Sequence, residues 1–221
     1  TRSEPTPITN SDATVSHALA SMREALRSRP HLATTDRLEL FIETWMKRAW
    51  PSYLAFGPVR FDEFKIEERQ TKIVTVLQAF AAANPQAFTK DIRAKLLEIG
   101  NFPTDVSIYL GIRSVFPPQE VFDQFAQFVE DPRHDHKDHF GPGRGRIIDK
   151  IKALIQDNGS VANYLPNLER VLGWIRFDQE RDGVIQMLRC FDERLFTAQH
   201  LQTLVDSGSL KTAIHVLDTF G

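Results

Sequence analysis

Apolar side chains recur along most of the chain at spacings of three and four residues, the period of an amphipathic α-helix. The first run consists of Val15, Leu19, Met22 and Leu26, and it follows a polar stretch at residues 1–11. Proline, glycine or asparagine interrupts the runs, so that each predicted helix has about 10–17 residues. No stretch alternates between apolar and polar residues as a half-buried strand does. The pattern therefore predicts an all-α protein of about ten to eleven short helices.

Two parts of the chain share a weak repeat, in which a Phe-Thr pair is followed by an apolar pair, a glycine and a second threonine. The copies are Phe88-Thr89, Leu96-Leu97, Gly100 and Thr104, and Phe196-Thr197, Leu204-Val205, Gly208 and Thr212. The first threonine is expected to cap a helix, the apolar pair to face the core, and the glycine to end the helix in a left-handed conformation. Any two capped amphipathic helices share these features. Stacked helical hairpins, as in an α-solenoid, and an irregular helical bundle therefore both remain open.

The longest polar interruption spans residues 131–146 and reads DPRHDHKDHFGPGRGR. Its prolines, glycines and charged side chains offer little apolar surface to bury, so we expect a mobile loop. The chain then divides into a flexible tail at 1–11, an N-terminal helical half at 12–130, the mobile loop at 131–146 and a C-terminal helical half at 147–221.

The amino-acid composition bears on which classes of protein this chain can belong to. Hydrophobic residues make up 42% and charged residues 25% of the chain, as in an ordinary globular protein. The net charge of −2 gives no sign of the concentrated positive face of a nucleic-acid binder. The single cysteine, Cys190, forms no disulfide within the chain and is expected to be a buried, unreactive thiol. No apolar run approaches the roughly 20 residues of a membrane span, so a soluble protein is expected. The single cysteine fits a reducing compartment, and the cytoplasm or nucleus is the expected location.

An H-x-H-x-D-H pattern lies within the predicted loop and is formed by His134, His136, Asp138 and His139. The pattern resembles the metal-binding motif of the metallo-β-lactamase superfamily. The resemblance implies one or two Zn²⁺ ions that activate water for hydrolysis. It also implies an αββα sandwich with further His and Asp ligands downstream, on strand ends.

The surroundings of this pattern favour a different interpretation. A helical run precedes it, and the two later histidines, His200 and His215, lie on predicted amphipathic helices. Three interpretations therefore stand: a hydrolase, an adventitious or structural metal site, and a solvated loop that binds no metal. The solvated loop fits the context best, so no cofactor and no catalytic residue are expected.

A glycine- and arginine-rich stretch, Gly141–Arg146, precedes the next predicted helix. Glycines before a helix can hold a phosphate on backbone N–H groups, and Arg144 and Arg146 could contact nucleic acid. The spacing of a P-loop and its Lys-Ser/Thr pair are absent. A flexible linker is the preferred interpretation, and a nucleic-acid-binding adaptor is an alternative.

Aromatic residues gather where prolines break the helical pattern between positions 45 and 64. They are Trp45, Trp50, Tyr53, Phe56, Phe61 and Phe64. Trp and Tyr dominate interface hot spots, although such rings can equally fill a core. We predict a non-enzymatic helical scaffold or adaptor that binds a protein or peptide through this surface. A metal-dependent hydrolase and a nucleic-acid adaptor are the rival hypotheses, and the oligomeric state is left open.

Overall fold

The computed structural model describes residues 12–46, 63–100, 102–103, 106–131, 144–177 and 181–206, with backbone alone at 12 and 63–66. These residues form eleven α-helices and no β-strand, which confirms the predicted all-α fold. The chain forms two compact units, Thr1–Phe116 and Pro117–Gly221.

The first unit contains five of the helices. They are α1 (Asp12–Ser28), α2 (Thr35–Phe41), α3 (Glu63–Ala83), α4 (Lys90–Ile99) and α5 (Ser107–Gly111). A π-helical turn, Ile42–Met46, continues α2. The helix α1 packs along α3, and α5 packs on α3 as well. Apolar side chains spaced by three and four residues, such as Ile73 and Leu77, are fully buried, as their periodicity predicts.

The second unit contains the remaining six helices. They are α6 (Pro118–Glu130), α7 (Arg144–Asp157), α8 (Gly159–Ala162), α9 (Leu165–Gly173), α10 (Arg181–Leu188) and α11 (Ala198–Asp206). The helix α7 packs against α6 and α10, and α9 packs against α10. Because α7 has neighbours on two sides, it buries a broad apolar stripe that includes Ile147, Ile148 and Ile151.

Short 3₁₀ turns join successive helices in the same way at two places in the first unit. Pro30–Leu32 joins α1 to α2, and Pro85–Ala87 joins α3 to α4. In both turns proline occupies the first position, where its fixed φ angle suits the turn and where it ends the preceding helix. The residue after the turn has nearly the same backbone angles in both, φ −78° and ψ 74° at Ala33 and φ −83° and ψ 70° at Phe88.

A threonine then caps each following helix. The hydroxyl of Thr34 accepts a hydrogen bond from the N–H of Arg37, and the hydroxyl of Thr89 accepts one from the N–H of Ile92. These bonds satisfy N–H groups that have no partner within the helix. The side-chain amide of Asn84 donates to the carbonyl oxygen of Ala33 at 2.8 Å, so the two turns lie side by side. The hairpins α1–α2 and α3–α4 therefore stack with their second helices beginning next to each other.

The second copy of the predicted repeat has a similar local geometry. A 3₁₀ turn, Glu193–Leu195, precedes Phe196, and the hydroxyl of Thr197 accepts a hydrogen bond from the N–H of His200. Leu204 is buried, but the neighbouring Val205 is 38% exposed. The local likeness covers the described part of each copy, and the longer repeat stays a prediction because its later residues lie outside the described ranges.

The predicted left-handed conformation of Gly100 is wrong. This residue has φ −73°, and no glycine in the described ranges has a positive φ. A Cβ atom at Gly100 would lie 2.7 Å from Cδ1 of Ile108. A side chain at this position would therefore have to displace the end of the Ile108 side chain on α5, an approach that the local pattern does not reveal.

The structure divides the chain at a different place from the predicted halves, 12–130 and 147–221. In the structure α6 packs against α7 in the second unit, and α7 begins at Arg144. Residues 132–143 therefore connect two neighbouring helices of one unit. The apolar face of α6 is visible in the sequence, but nothing in the sequence says which helix covers it. The predicted tail at 1–11 lies outside the described residues.

Candidate functional site

The predicted aromatic binding surface lies mostly outside the described residues. Trp45 is partly buried in the π-helical turn that continues α2. Phe64 belongs to the first turn of α3, where only the backbone is described, and Trp50, Tyr53, Phe56 and Phe61 are outside the described ranges. The binding surface therefore stays a prediction.

The predicted metal ligands, His134, His136, Asp138 and His139, also lie outside the described residues. Among the residues described, no group of three or more His, Cys, Asp and Glu side chains is placed to hold a metal ion. The resemblance to metallo-β-lactamases implied an αββα sandwich, whereas the described ranges contain helices and no strand. The fold that this resemblance implies is therefore not the fold of the described residues.

His200, one of the two histidines downstream of the metal pattern, has a local structural role. Its backbone N–H donates to the hydroxyl of Thr197, and its Nδ1 accepts from the backbone N–H of Thr197, both at 3.3 Å. This reciprocal pair is a capping box in which histidine replaces the usual Glu or Gln. His200 thereby stabilises the first turn of α11. His215 lies beyond the described residues.

The two arginines of the nucleic-acid hypothesis occupy different environments. Arg144 is only 7% exposed, and its Nε donates to the carbonyl oxygen of Val129 at 2.8 Å. Its guanidinium carbon lies 3.9 Å from the ring centroid of Phe177. Arg146 is exposed on the same helical turn. Arg144 is therefore a packed part of the second unit and not part of a flexible linker, the interpretation that the sequence favoured. The alternative in which both arginines contact nucleic acid does not fit the burial of Arg144.

The lone cysteine lies just after α10, not within it. Cys190 is partly buried, and its Sγ donates to the carbonyl oxygen of Gln186 at 3.6 Å. Burial raises the pKa of this thiol, although a hydrogen bond to Gln156 and the charge of Lys152 act in the opposite direction. A raised pKa keeps the thiol protonated at neutral pH, which agrees with the expectation of an unreactive cysteine, although Cys190 is less buried than the sequence predicted.

A groove with a cavity of about 360 Å³ separates α2 from α4 in the first unit. Its walls come from both helices and combine hydroxyl, carboxylate, amine and aliphatic groups. The lining residues of this α2–α4 groove are Thr35, Glu39, Thr89, Asp91, Ile92 and Lys95. The groove follows directly from the stacked hairpins, because the adjacent 3₁₀ turns place the capped starts of α2 and α4 next to each other.

Lys95 bridges the two walls of the α2–α4 groove. Its Nζ lies 3.2 Å from Oε1 of Glu39, and it also pairs with the carboxylate of Glu43. Hydrogen bonds to Glu43 and then Glu39 raise the pKa of the Lys95 ammonium group, against a smaller opposing effect of burial. The side chain of Glu39 is 53% exposed and that of Lys95 29% exposed. These charges are therefore paired across the groove but remain accessible to water.

The side chains that line the α2–α4 groove offer both charged and apolar contacts. None of its lining residues is a histidine, a cysteine or a serine, so the lining contains no nucleophile with an adjacent imidazole base. The carboxylates and the ammonium group can form ion pairs and hydrogen bonds with a partner. Ile92, which is buried, supplies an apolar floor.

A second cluster of charged residues joins α6 to α9 in the other unit. Arg170 donates from Nε and Nη2 to the two carboxylate oxygens of Glu130, both at 2.6 Å. The indole Nε1 of Trp174 donates to Glu130 at 2.9 Å, and Nη1 of Arg170 donates to Asp123 at 3.3 Å. Partial burial acts to raise the pKa of the Glu130 carboxyl, but the hydrogen bonds from Arg170 and Trp174 outweigh it, so the pKa lies below its usual value.

An amide pair extends this cluster toward the start of α6. The side chains of Gln119 and Asn167 donate to each other at 2.8 and 2.9 Å, and Asn167 also donates to the carbonyl oxygen of Val161. Asn167 is 2% exposed. We call the whole set the polar seam; its members are Gln119, Asp123, Glu130, Asn167, Arg170 and Trp174. Because these groups bind one another, the polar seam is a structural feature that fixes α9 on α6.

Comparison of the chain with protein-family models, with curated proteins and with solved structures gives no match. Among the described residues, no helix combines the length and the apolar character that crossing a membrane requires.

Proposed function

We propose that this chain is a non-enzymatic helical scaffold or adaptor that binds a protein or peptide partner. The observation that carries the proposal is the α2–α4 groove, whose charged side chains are accessible and whose walls are two neighbouring helices. Stacked helical hairpins commonly present such grooves to extended or helical segments of other proteins. The likeness of the two hairpin connections in the first unit supports an architecture of this kind.

The charges of the groove indicate the chemistry of the partner. Glu39 and Asp91 line opposite walls, and Lys95 reaches between the walls. A peptide with a basic side chain near Glu39 and an acidic side chain near Lys95 would exchange intramolecular ion pairs for intermolecular ones. Such exchange gives specificity and a fast association rate more than it gives affinity.

An apolar contact lies close to these charges. Leu40 is 66% exposed on α2, directly after Glu39. Interfaces combine an apolar centre with a polar rim, so the partner segment is expected to carry one aliphatic or aromatic residue that covers Leu40. The predicted aromatic residues between Trp45 and Phe64 follow α2 in sequence and are proposed as an extension of this surface. We place the adaptor inside the cell, in the cytoplasm or nucleus, because its single cysteine forms no internal disulfide.

The test is selection of peptides from a phage library of random 12-residue sequences against the full chain. Fluorescence anisotropy of a selected, labelled peptide then gives its dissociation constant for the wild type and for two variants. Lys95→Gln removes the bridging charge of the groove. Lys152→Gln is the matched control, because Lys152 has a similar exposure and pairs with Asp149 on α7, outside the groove. We expect Lys95→Gln to weaken binding about tenfold or more and Lys152→Gln to change it less than about twofold.

Two results would overturn the proposal. One is a library from which no peptide is enriched by the wild-type chain. The other is a selected peptide whose affinity is the same for the wild type, Lys95→Gln and Leu40→Ala. In that case the peptide binds elsewhere, and the α2–α4 groove is not the binding surface.

A further inference from the structure

The α2–α4 groove has two polar positions along its length. Thr35 is the first residue of α2 and Asp91 lies in the first turn of α4, and both line the cavity at the end where the two helices begin side by side. We call this part, formed by Thr35 and Asp91, the capped end of the groove. Lys95 follows Asp91 by four residues, so their side chains lie about one helical turn apart on the same face of α4. A partner can therefore contact the capped end and Lys95 with two different side chains.

The carboxylates that line the groove differ in their own partners. Glu39 pairs with Lys95, whose ammonium group also pairs with Glu43. Asp91 is exposed, and no described residue donates a hydrogen bond to its carboxylate or forms an ion pair with it. The hydroxyl of Thr35 likewise receives no hydrogen bond from the described part of the chain. The capped end therefore presents a carboxylate and a hydroxyl oxygen to which a donor of the partner can bind.

The charges of the groove favour a positively charged donor at this end. Two carboxylates, those of Glu39 and Asp91, line the cavity with one ammonium group, that of Lys95, which also serves Glu43. This excess of negative charge attracts a cation to the carboxylate that has no ion pair. One carboxylate and one hydroxyl suit a side-chain cation better than a metal ion, because Mg²⁺ and Ca²⁺ take six or more oxygen ligands. The complementary group is therefore a basic side chain.

We propose that Asp91 and the hydroxyl of Thr35 form the binding site for a lysine or arginine side chain of the partner. This inference rests on the proposed peptide-binding function and assigns the basic residue of the partner to one position in the groove. The ammonium or guanidinium group donates hydrogen bonds to the Asp91 carboxylate and to the Thr35 hydroxyl. The aliphatic part of the same side chain covers Ile92, which lines the cavity and is 4% exposed.

The test uses the full chain and a labelled 12-residue peptide selected from the random phage library. An alanine scan of the peptide identifies the basic residue on which its affinity depends. Fluorescence anisotropy at physiological ionic strength then compares the wild type with Asp91→Asn, Asp91→Lys and Glu98→Lys. The last variant is the matched control, because it makes the same change of charge at an exposed position of α4 that does not line the groove. Circular dichroism confirms that each variant is folded.

We expect Asp91→Asn to weaken binding about fivefold and Asp91→Lys about thirtyfold, whereas Glu98→Lys should change it less than about twofold. The decisive measurement is a reversal of charge on both sides. Replacing the basic residue of the peptide by glutamate should weaken binding to the wild type and bring binding to Asp91→Lys within about threefold of the original pair. A disturbance of the first turn of α4 would not be repaired by a change in the peptide.

The outcomes separate this inference from the proposed function. If the peptide depends on Lys95 and Leu40 but binds Asp91→Asn and Asp91→Lys as well as it binds the wild type, the groove binds peptides and the site at Asp91 is overturned. Enriched peptides that bind the groove without any basic residue, or a charge reversal that restores no affinity, overturn it in the same way. A library from which no peptide is enriched overturns both the function and this inference.

Discussion

The α2–α4 groove and the polar seam use the same types of side chain in opposite situations. In the groove, Lys95 forms one hydrogen bond to each of two glutamates, and all three side chains are partly exposed to water. In the seam, Arg170 and Glu130 form a bidentate ion pair with two hydrogen bonds, and the indole N–H of Trp174 donates a third hydrogen bond to the same carboxylate. Exposed ion pairs contribute little to stability, whereas partly buried pairs with satisfied hydrogen bonds contribute more. Charged residues therefore stabilise the second unit, whereas in the first they remain accessible to water.

The largest expected effect comes from removing the arginine of the polar seam. Arg170→Ala leaves the Glu130 carboxylate, about two-thirds buried, with one donor in place of three. We expect the free energy of unfolding to fall by about 2–3 kcal/mol, measured by urea denaturation followed by circular dichroism. Glu169→Ala changes the preceding, exposed residue of the same helix and should have little effect. If the two variants were equally stable, the seam would be no stronger than an exposed ion pair.

A smaller loss is expected from the amide pair at the other end of the seam. Asn167→Ala removes the two hydrogen bonds between the side chains of Asn167 and Gln119. It also removes the hydrogen bond that Asn167 donates to the carbonyl oxygen of Val161. We expect a loss of about 1–2 kcal/mol in the free energy of unfolding. Combining Asn167→Ala with Gln119→Ala should cost less than the sum of the single changes, because the two side chains bind each other. Additive losses in this double-mutant cycle would contradict the reciprocal pairing.

The sequence predicted the parts of these regions that depend on local chemistry. The Phe88-Thr89 and Phe196-Thr197 pairs marked the starts of two helices correctly, because a threonine hydroxyl caps a helix through the residues that directly follow it. The assignment of these segments as α-helices followed in the same way from the spacing of their apolar residues. The groove was not predicted, since Lys95 and Glu39 are far apart in the chain and meet only because two hairpins stack. Arg144 was assigned to a linker on its composition, and its burial depends on Phe177 from a distant segment.

The polar seam should also make the second unit sensitive to acid. Since the folded-state pKa of Glu130 lies below its usual value of about 4.3, the unfolded chain binds its proton at a higher pH than the folded chain does. The stabilisation is therefore fully present above that usual value and is lost as the pH falls through the lower folded-state pKa.

The comparison of wild type with Glu130→Gln isolates this carboxylate. The stability difference between them, from urea midpoints at pH 7 down to pH 3, should be constant near neutrality and shrink below about pH 4. Glu98→Gln, an exposed change on α4, serves as the control and should give a much smaller difference throughout. A Glu130→Gln difference that grows on acidification would have the wrong sign and would contradict a stabilised carboxylate.

The smallest expected effect is that of Lys95→Gln on stability, and it completes the contrast with the seam. Water can replace the ammonium group at Glu39 and Glu43 because these carboxylates are already partly solvated. We therefore expect no measurable change in melting temperature, together with the weakened peptide binding described above. Scanning calorimetry in 20 mM and 500 mM NaCl checks this, because salt screens exposed pairs and should leave wild type and variant alike. A melting temperature that falls as far as that of Arg170→Ala would show that Lys95 holds α2 on α4, and the groove would then be a structural junction rather than a surface open to a partner.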